Sequence, residues 1–135
     1  MPGRKQRVLD SYALIAFLAG ERGFERVEAF LRASTSGGVP VLMNEINAGE
    51  VYSMTSRKRS PDLAEEFLSR LQGLPIRLIT NPFSMVIEAA RIKAKFRISY
   101  ADAFAAATAR LEGATLVTGD PEFEVLEKLV DIEWL

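Results

Sequence analysis

The sequence contains no cysteine and no histidine. The absence of cysteine excludes disulfides, thiol catalysis and thiolate zinc sites. The absence of histidine removes the usual general base and the commonest ligand of transition metals. Any catalysis by this chain would therefore use carboxylates, hydroxyls, Lys, Arg, Tyr or a metal held by oxygen atoms. Sites built only from oxygen favour Mg²⁺ or Mn²⁺ over Zn²⁺.

Long apolar runs are also missing, and the chain carries almost no net charge. No apolar run is long enough to span a bilayer, and the basic start is followed by Asp10 within a short apolar stretch. We therefore expect neither a signal peptide nor a membrane anchor, and a cytoplasmic location. The formal net charge of −1 excludes a globally basic nucleic-acid binder, but it allows a nuclease whose basic residues cluster locally.

The length and the apolar content indicate one domain, which we expect to span residues 1–135. The chain has 135 residues, of which 48% are hydrophobic, enough for one core. Five short apolar segments predict strands at residues 7–9, 39–43, 76–80, 115–118 and 132–135. Helical patterns lie between them, at residues 11–19, 22–33, 44–58, 61–73, 81–95 and 100–111, and a short helix is predicted from residue 120. Strands separated by helices favour a parallel sheet covered on both faces, a three-layer α/β/α domain.

Four acidic residues occupy informative places in this pattern. Asp10 follows the first predicted strand and Asp120 follows the fourth, whereas Asp102 lies in the first turn of a helix and Glu50 lies inside another. Open parallel sheets bind ligands beyond the carboxyl ends of their strands. We therefore expect the four carboxylates to gather in one acidic pocket that binds a divalent metal.

Three of these acids also have a purely structural interpretation. Asp10, Asp102 and Asp120 could cap helices, since Asp is a favoured capping residue, and Ser99 and Asp102 form a near capping box. Glu50 sits too far into its helix to cap it. Apolar residues lie four positions to either side of Glu50, and a carboxylate in an apolar row needs a partner or a metal.

Four segments resemble, in order, the motifs of PIN-domain nucleases. They are VLDSYAL at residues 8–14, NAGEVY at 47–52, ISYADAFAAATA at 98–109 and LVTGDPEF at 116–123. The motifs span nearly the whole chain. Its short length is similar to that of VapC toxins, the nuclease halves of prokaryotic toxin–antitoxin pairs.

The resemblance implies a parallel sheet of about five strands in the order 3-2-1-4-5, Mg²⁺- or Mn²⁺-dependent cleavage of RNA, homodimers and a VapB-type antitoxin as partner. Carried over residue by residue, it makes catalytic, metal-binding acids of Asp10, Glu50, Asp102 and Asp120, with support from Ser11, Thr118 and Glu122. The first motif departs from the commoner form, which has Ser two residues after the Asp. Here Tyr12 holds that place and Ser11 precedes it.

An acidic pocket repels RNA, so basic residues around it would have to hold the phosphate backbone. Two groups are candidates: Arg57, Lys58 and Arg59 after the Glu50 helix, and Arg91, Lys93, Lys95 and Arg97 before Ser99. Both groups could equally be solvated charges near helix ends, where the helix dipole favours them. For the dimer and antitoxin surfaces, the helices within residues 11–33 and 44–73 are candidates.

Two other functions remain open on the sequence. A phospho-acceptor receiver domain has a similar sheet, but it would usually show paired acids after its first strand and a Lys after its last inner strand; neither is present here. A catalytically silent PIN-like domain acting as a binding module is the second alternative. The complete acid set argues against it, although a fold alone does not prove activity.

Overall fold

Residues 5–135, the part of the chain that the computed structural model describes, form five strands and six α-helices, and a pair of helices follows each of the first three strands. The strands are β1 (Arg7–Leu9), β2 (Val41–Asn44), β3 (Ile76–Ile79), β4 (Thr115–Thr118) and β5 (Ile132–Trp134). The helices are α1 (Ser11–Ala19), α2 (Phe24–Thr35), α3 (Glu45–Lys58), α4 (Pro61–Gln72), α5 (Phe83–Lys95) and α6 (Tyr100–Glu112). A 3₁₀ helix (Pro121–Leu126) lies between β4 and β5.

All five strands are parallel and follow the order β3-β2-β1-β4-β5, which confirms the predicted topology. β1 lies between β2 and β4, with Leu9 beside Val117. The carboxyl ends of β1 and β4 therefore meet at the centre of one sheet edge. A receiver domain has the strand order 2-1-3-4-5 instead, so the topology excludes that alternative.

The three layers follow from the two-residue period of the strands. Val8 packs with α5, α6 and Phe123 on one face of the sheet, whereas Leu9 packs with α1 and α2 on the other. Helices α3 and α4 complete the second layer through a cluster that includes Val51 and Phe67. Both faces of the central strands are thus buried, as expected for strands that read as continuous apolar runs.

The element boundaries differ from the sequence prediction in a few places. Helix α2 begins at Phe24 rather than near residue 22, because Gly23 precedes it with a φ of 96°. A Cβ on Gly23 would lie 2.9 Å from the Cβ of Leu135, so the C-terminal residue packs directly on this turn. Strand β2 begins two residues later than predicted, at Val41.

Within residues 5–135, no helix has both the length and the apolar character needed to cross a membrane.

Candidate metal centre

Asp10 is held in the interior directly after β1. Its side chain is only 1% exposed. One carboxylate oxygen accepts a hydrogen bond from the backbone N–H of Ala13 at 2.8 Å, which caps α1, and the other accepts from the hydroxyl of Thr118 at 2.5 Å. The pKa of Asp10 is raised to about 7, mainly by burial; the two hydrogen bonds oppose this rise, and the charges of Asp102 and Asp120 contribute to it. The Asp10 carboxyl is therefore fixed in orientation by two hydrogen bonds, and it holds its proton more tightly than an exposed Asp does.

Thr118 connects Asp10 to the next acid along β4. Its hydroxyl, which donates to Asp10, also accepts the backbone N–H of Asp120 at 3.0 Å. Thr118, for which the resemblance implies a supporting role, therefore contacts the first and the fourth motif at once. This single hydroxyl fixes the spacing between the first and fourth motifs.

Asp102 lies in the first turn of α6, and its side chain faces the same region. Ser99 caps the helix by accepting the backbone N–H of Asp102 at 3.1 Å. The residue is 8% exposed, and burial raises the pKa of its carboxyl to about 7. The value of about 7 includes an opposing hydrogen bond from Ser99 and smaller contributions from the negative charges of Asp120, Glu50 and Glu122.

The tightest carboxylate group is formed by Asp102, Asp120 and Glu122. Each can offer one oxygen so that all three oxygens lie within 4.8 Å of one another. Asp120 also accepts the backbone N–H of Glu122 at 2.9 Å, which starts the 3₁₀ helix and turns both side chains to the same side. Glu122 thus belongs to the central group, although the resemblance gave it only a supporting part.

Glu50 completes the acidic wall from α3. It is half-buried and accepts a hydrogen bond from the hydroxyl of Ser11, the residue after Asp10. The role of Ser11, which the departure from the commoner motif leaves open, is therefore that of a donor that fixes Glu50. The apolar row expected around Glu50 is only partly buried, since Ile46 is 41% exposed and Met54 lines the acidic cavity.

These side chains surround one cavity of about 410 Å³. Six carboxylates line it, together with Ser11, Tyr12, Ile15, Met54 and Ser99; the six acids are Asp10, Glu21, Glu50, Asp102, Asp120 and Glu122. No basic residue of the described chain stands among the lining residues. Clustered carboxylates repel one another and have coupled pKa values, so positive charge entering the cavity relieves a real electrostatic cost.

The donor set fits a hard divalent cation. All the acidic donors are carboxylate oxygens, the ligands that Mg²⁺ and Mn²⁺ prefer. Asp102, Asp120 and Glu122 have the mutual spacing of ligands to one ion. Asp10 and Glu50 lie outside that group of three, but they line the same cavity and add to its negative charge.

Tyr12 and Gly119 form a contact that sequence reasoning missed. A Cβ on Gly119 would lie 2.3 Å from Cε1 of Tyr12, so the ring packs directly on the backbone between Thr118 and Asp120. Only glycine permits this approach. The available signal was Tyr12, which stands where the commoner form of the first motif has Ser, together with Gly119 inside the fourth motif.

The predicted RNA-binding residues do not line the cavity. Arg91 pairs with Glu88 at 3.6 Å, and the ammonium group of Lys93 donates to the backbone carbonyl of Ile98. The remaining residues of the two groups are exposed, at Arg57, Lys58, Arg59, Lys95 and Arg97. Arg57 follows Glu50 by seven residues, so it lies on nearly the same face of α3, roughly 10 Å farther along the helix axis.

Comparison with known proteins agrees with this architecture. The family model described as PIN domain matches residues 7–129. The chain belongs to the PIN domain family. No curated protein matches the sequence of this PIN domain.

Several solved structures have the same fold as this PIN domain. A VapBC2 structure from Rickettsia felis is 13% identical, with a TM-score of 0.74 and coverage of 96% of this chain and 98% of the other. DNA-bound VapBC from Salmonella typhimurium is 15% identical, with a TM-score of 0.74 and coverage of 96% and 97%. Mycobacterium tuberculosis VapC20, described as a sarcin–ricin loop cleaving toxin, is 17% identical, with a TM-score of 0.69 and coverage of 88% and 93%. At such identities the similarity concerns the fold.

The raised pKa values predict that the metal-free PIN domain loses stability as the pH rises. The usual pKa of an Asp carboxyl is 3.8, and the folded values for Asp10 and Asp102 are about 7. Between these limits the folded protein binds protons that the unfolded chain has released, so the free energy of unfolding falls with rising pH and levels off above pH 7. We expect each of the two groups to contribute a loss of roughly 2–3 kcal/mol between pH 5 and pH 8, measured by urea denaturation in the presence of a chelator.

Excess Mn²⁺ should stabilise the protein more at pH 8 than at pH 5, because a cation competes with protons for the carboxylates. The Asp10→Asn and Asp102→Asn variants should each show a shallower pH dependence. Stability that increases from pH 5 to pH 8 without metal would contradict the raised pKa values.

Proposed function

We propose that this PIN domain is a metal-dependent endoribonuclease that acts as the VapC-type toxin of a toxin–antitoxin pair. The observation that carries the nuclease assignment is the group formed by Asp102, Asp120 and Glu122 inside a cavity that Asp10 and Glu50 also line. The VapC assignment is supported by the VapBC structures of the same fold. We take the nuclease domain to extend over residues 1–135 and to work in the cytoplasm.

The proposed cofactor is Mg²⁺ or Mn²⁺, held by Asp102, Asp120 and Glu122 with Asp10 and Glu50 beside them. When bound, such a cation neutralises carboxylate charge, lowers the pKa of water and stabilises negative charge on a phosphodiester. The protein supplies the fixed geometry. Thr118 holds Asp10 and Asp120 in register, and Ser11 holds Glu50.

The charge distribution suggests how RNA would approach. Six acids around one cavity repel a phosphodiester, so the backbone must be held by cations outside the cavity. Among the predicted basic residues, Arg57 has the best position, since Glu50 and Met54 on the same face of α3 line the cavity. We propose that Arg57 contacts a phosphate next to the one being cleaved. Lys58, Arg59, Arg91 and Lys95 remain secondary candidates.

The antitoxin would occupy an apolar groove between α1, α3 and α4. The groove has a volume of about 210 Å³ and is lined by the apolar side chains Ile15, Leu18, Ala19, Val51, Leu63 and Phe67, with Arg59, Glu66 and Arg70 beside them. Ile15 also lines the acidic cavity, so the groove and the cavity are adjacent. We propose that a VapB-type antitoxin packs an apolar segment here, on a homodimer of the toxin.

Removing the charge of one acid in the cavity should abolish cleavage without unfolding the protein. We expect each of four substitutions to lower the cleavage rate roughly 100-fold or more: Asp10→Asn, Asp102→Asn, Asp120→Asn and Glu122→Gln. Each removes one negative charge from the proposed metal site, so the site binds a divalent cation less tightly. The measurement is Mn²⁺-dependent cleavage of labelled single-stranded RNA, with single-stranded DNA of the same sequence for comparison. Circular dichroism would check the fold.

Glu124→Gln is the matched control for Glu122→Gln. Both residues lie on the same 3₁₀ helix, but only Glu122 lines the cavity. Full activity in a folded Asp102→Asn protein would refute the nuclease site. Wild-type protein that binds RNA but never cleaves it would favour the silent binding module.

The position of Arg57 predicts a contribution to the salt dependence of RNA binding. In a non-cleaving Asp10→Asn background, Arg57→Gln should reduce the slope of log affinity against log salt by about 1, because one phosphate contact is lost. Arg32→Gln is the control, because Arg32 is an exposed basic residue of α2 that is not among the candidate RNA contacts. An unchanged slope in Arg57→Gln would exclude the contact.

The groove can be tested with two leucines of α4 that are equally exposed. Leu63 and Leu68 are both 39% exposed, but only Leu63 lines the groove. Leu63→Arg should weaken capture of a co-expressed antitoxin encoded by the adjacent reading frame by at least about tenfold, since a buried apolar contact becomes an unpaired charge. Leu68→Arg should bind as the wild type does. Equal binding by both variants would argue against this groove.

A further inference from the structure

Asn47 is a fully buried amide on α3 to which the proposed mechanism assigns no part. Its side chain is 0% exposed, and it lies three residues before Glu50 on the same helix. Buried amides need hydrogen-bonding partners, so the partners of Asn47 indicate what it does.

Both the side chain and the backbone of Asn47 contact segments that carry acids. Its Nδ2 donates to the backbone carbonyl of Ala101 at 3.0 Å, directly before Asp102. Its backbone carbonyl accepts a hydrogen bond from the hydroxyl of Ser11 at 3.3 Å, and that hydroxyl also donates to Glu50. Asn47 therefore lies where α3 meets the residue after Asp10 and the first turn of α6.

The remaining polar atom of Asn47 has no partner. Within residues 5–135, the buried Oδ1 accepts no hydrogen bond. Exchanging Oδ1 and Nδ2 would not help, because two acceptors would then face each other at Ala101. A buried acceptor without a partner costs folding free energy, which offsets much of what the hydrogen bond to Ala101 contributes. We therefore expect the amide to contribute little net stability at this position.

We propose that Asn47 is a positioning residue that sets the place of Asp102 relative to Glu50. The hydrogen bond to Ala101 fixes the backbone of the first turn of α6 relative to α3. It thereby fixes the distance between the carboxylates of Asp102 and Glu50. When a residue that holds a metal-binding acid in position is replaced, the affinity for the metal typically falls about 10–100-fold. The inference rests on the proposed metal site, because that site is what the positioning serves.

The test compares Mn²⁺ binding to the purified protein by isothermal titration calorimetry. Asn47→Leu should bind Mn²⁺ about tenfold or more weakly than the wild type, while its melting temperature stays near or above that of the wild type. Asn47→Ala is the second variant and should show the same loss of affinity. Thr108→Val is the matched control: Thr108 is also fully buried on α6 and hydrogen-bonds Asn44, but it does not contact an acid of the cavity.

A second measurement needs no metal. In metal-free Asn47→Leu, the backbone amide of Asp102 should exchange with deuterium faster than in the wild type, whereas amides in the second half of α6 should be unchanged. A merely structural residue would change exchange throughout the helix.

The possible outcomes separate the inference from the proposed function. Wild-type protein that binds Mn²⁺ while Asn47→Leu and Asn47→Ala bind it equally well overturns the role of Asn47 and leaves the metal site standing. Wild-type protein that binds no Mn²⁺ overturns both. If both variants fail to fold, Asn47 maintains the fold rather than the site, and the inference is wrong.

Discussion

The burial of Asp10 at the centre of the sheet edge is the constraint on which the rest of the site depends. A carboxylate that is 1% exposed is stable only if donors surround it, and the structure supplies the Ala13 amide and the Thr118 hydroxyl. These donors do not fully offset burial, since the pKa remains raised to about 7. Because β1 and β4 are neighbours, the same edge also receives Asp120, and the accumulated charge favours a cation.

Helix capping and the acidic site turn out to be one arrangement rather than alternatives. Asp10 accepts an amide of α1, and Asp120 accepts an amide of the 3₁₀ helix. Each capping hydrogen bond fixes the orientation of one carboxylate, and the carboxylate oxygens keep further lone pairs that can bind another ligand. Asp102 differs, because Ser99 caps its helix and leaves the Asp102 carboxylate out of the cap. Capping therefore orients two acids at little additional entropic cost.

The sequence predicts what local pattern and chain order determine. The strands and most helix boundaries follow from short apolar runs and from the glycines and prolines between them, and four ordered motifs gave the strand order and the main acids. The sequence could not show that Glu122 joins the central group or that Asn47 reaches Ala101, 54 residues away. Such contacts depend on how α3 and α6 pack, and no local signal encodes that distance. The glycine at Gly119 gains its meaning only from the Tyr12 ring that lies against it.

The acidic cavity and the apolar groove are adjacent, which links the proposed activity to its proposed control. Ile15 lines both, on the helix that begins directly after Asp10. A segment packed in the groove would therefore lie beside the cavity. Apolar contacts can supply affinity in the groove, whereas the negative cavity attracts any positive charge carried at the end of that segment. The negative charge that favours a metal ion would thus also favour a cationic inhibitor, so that the metal and the antitoxin would compete for the same carboxylates.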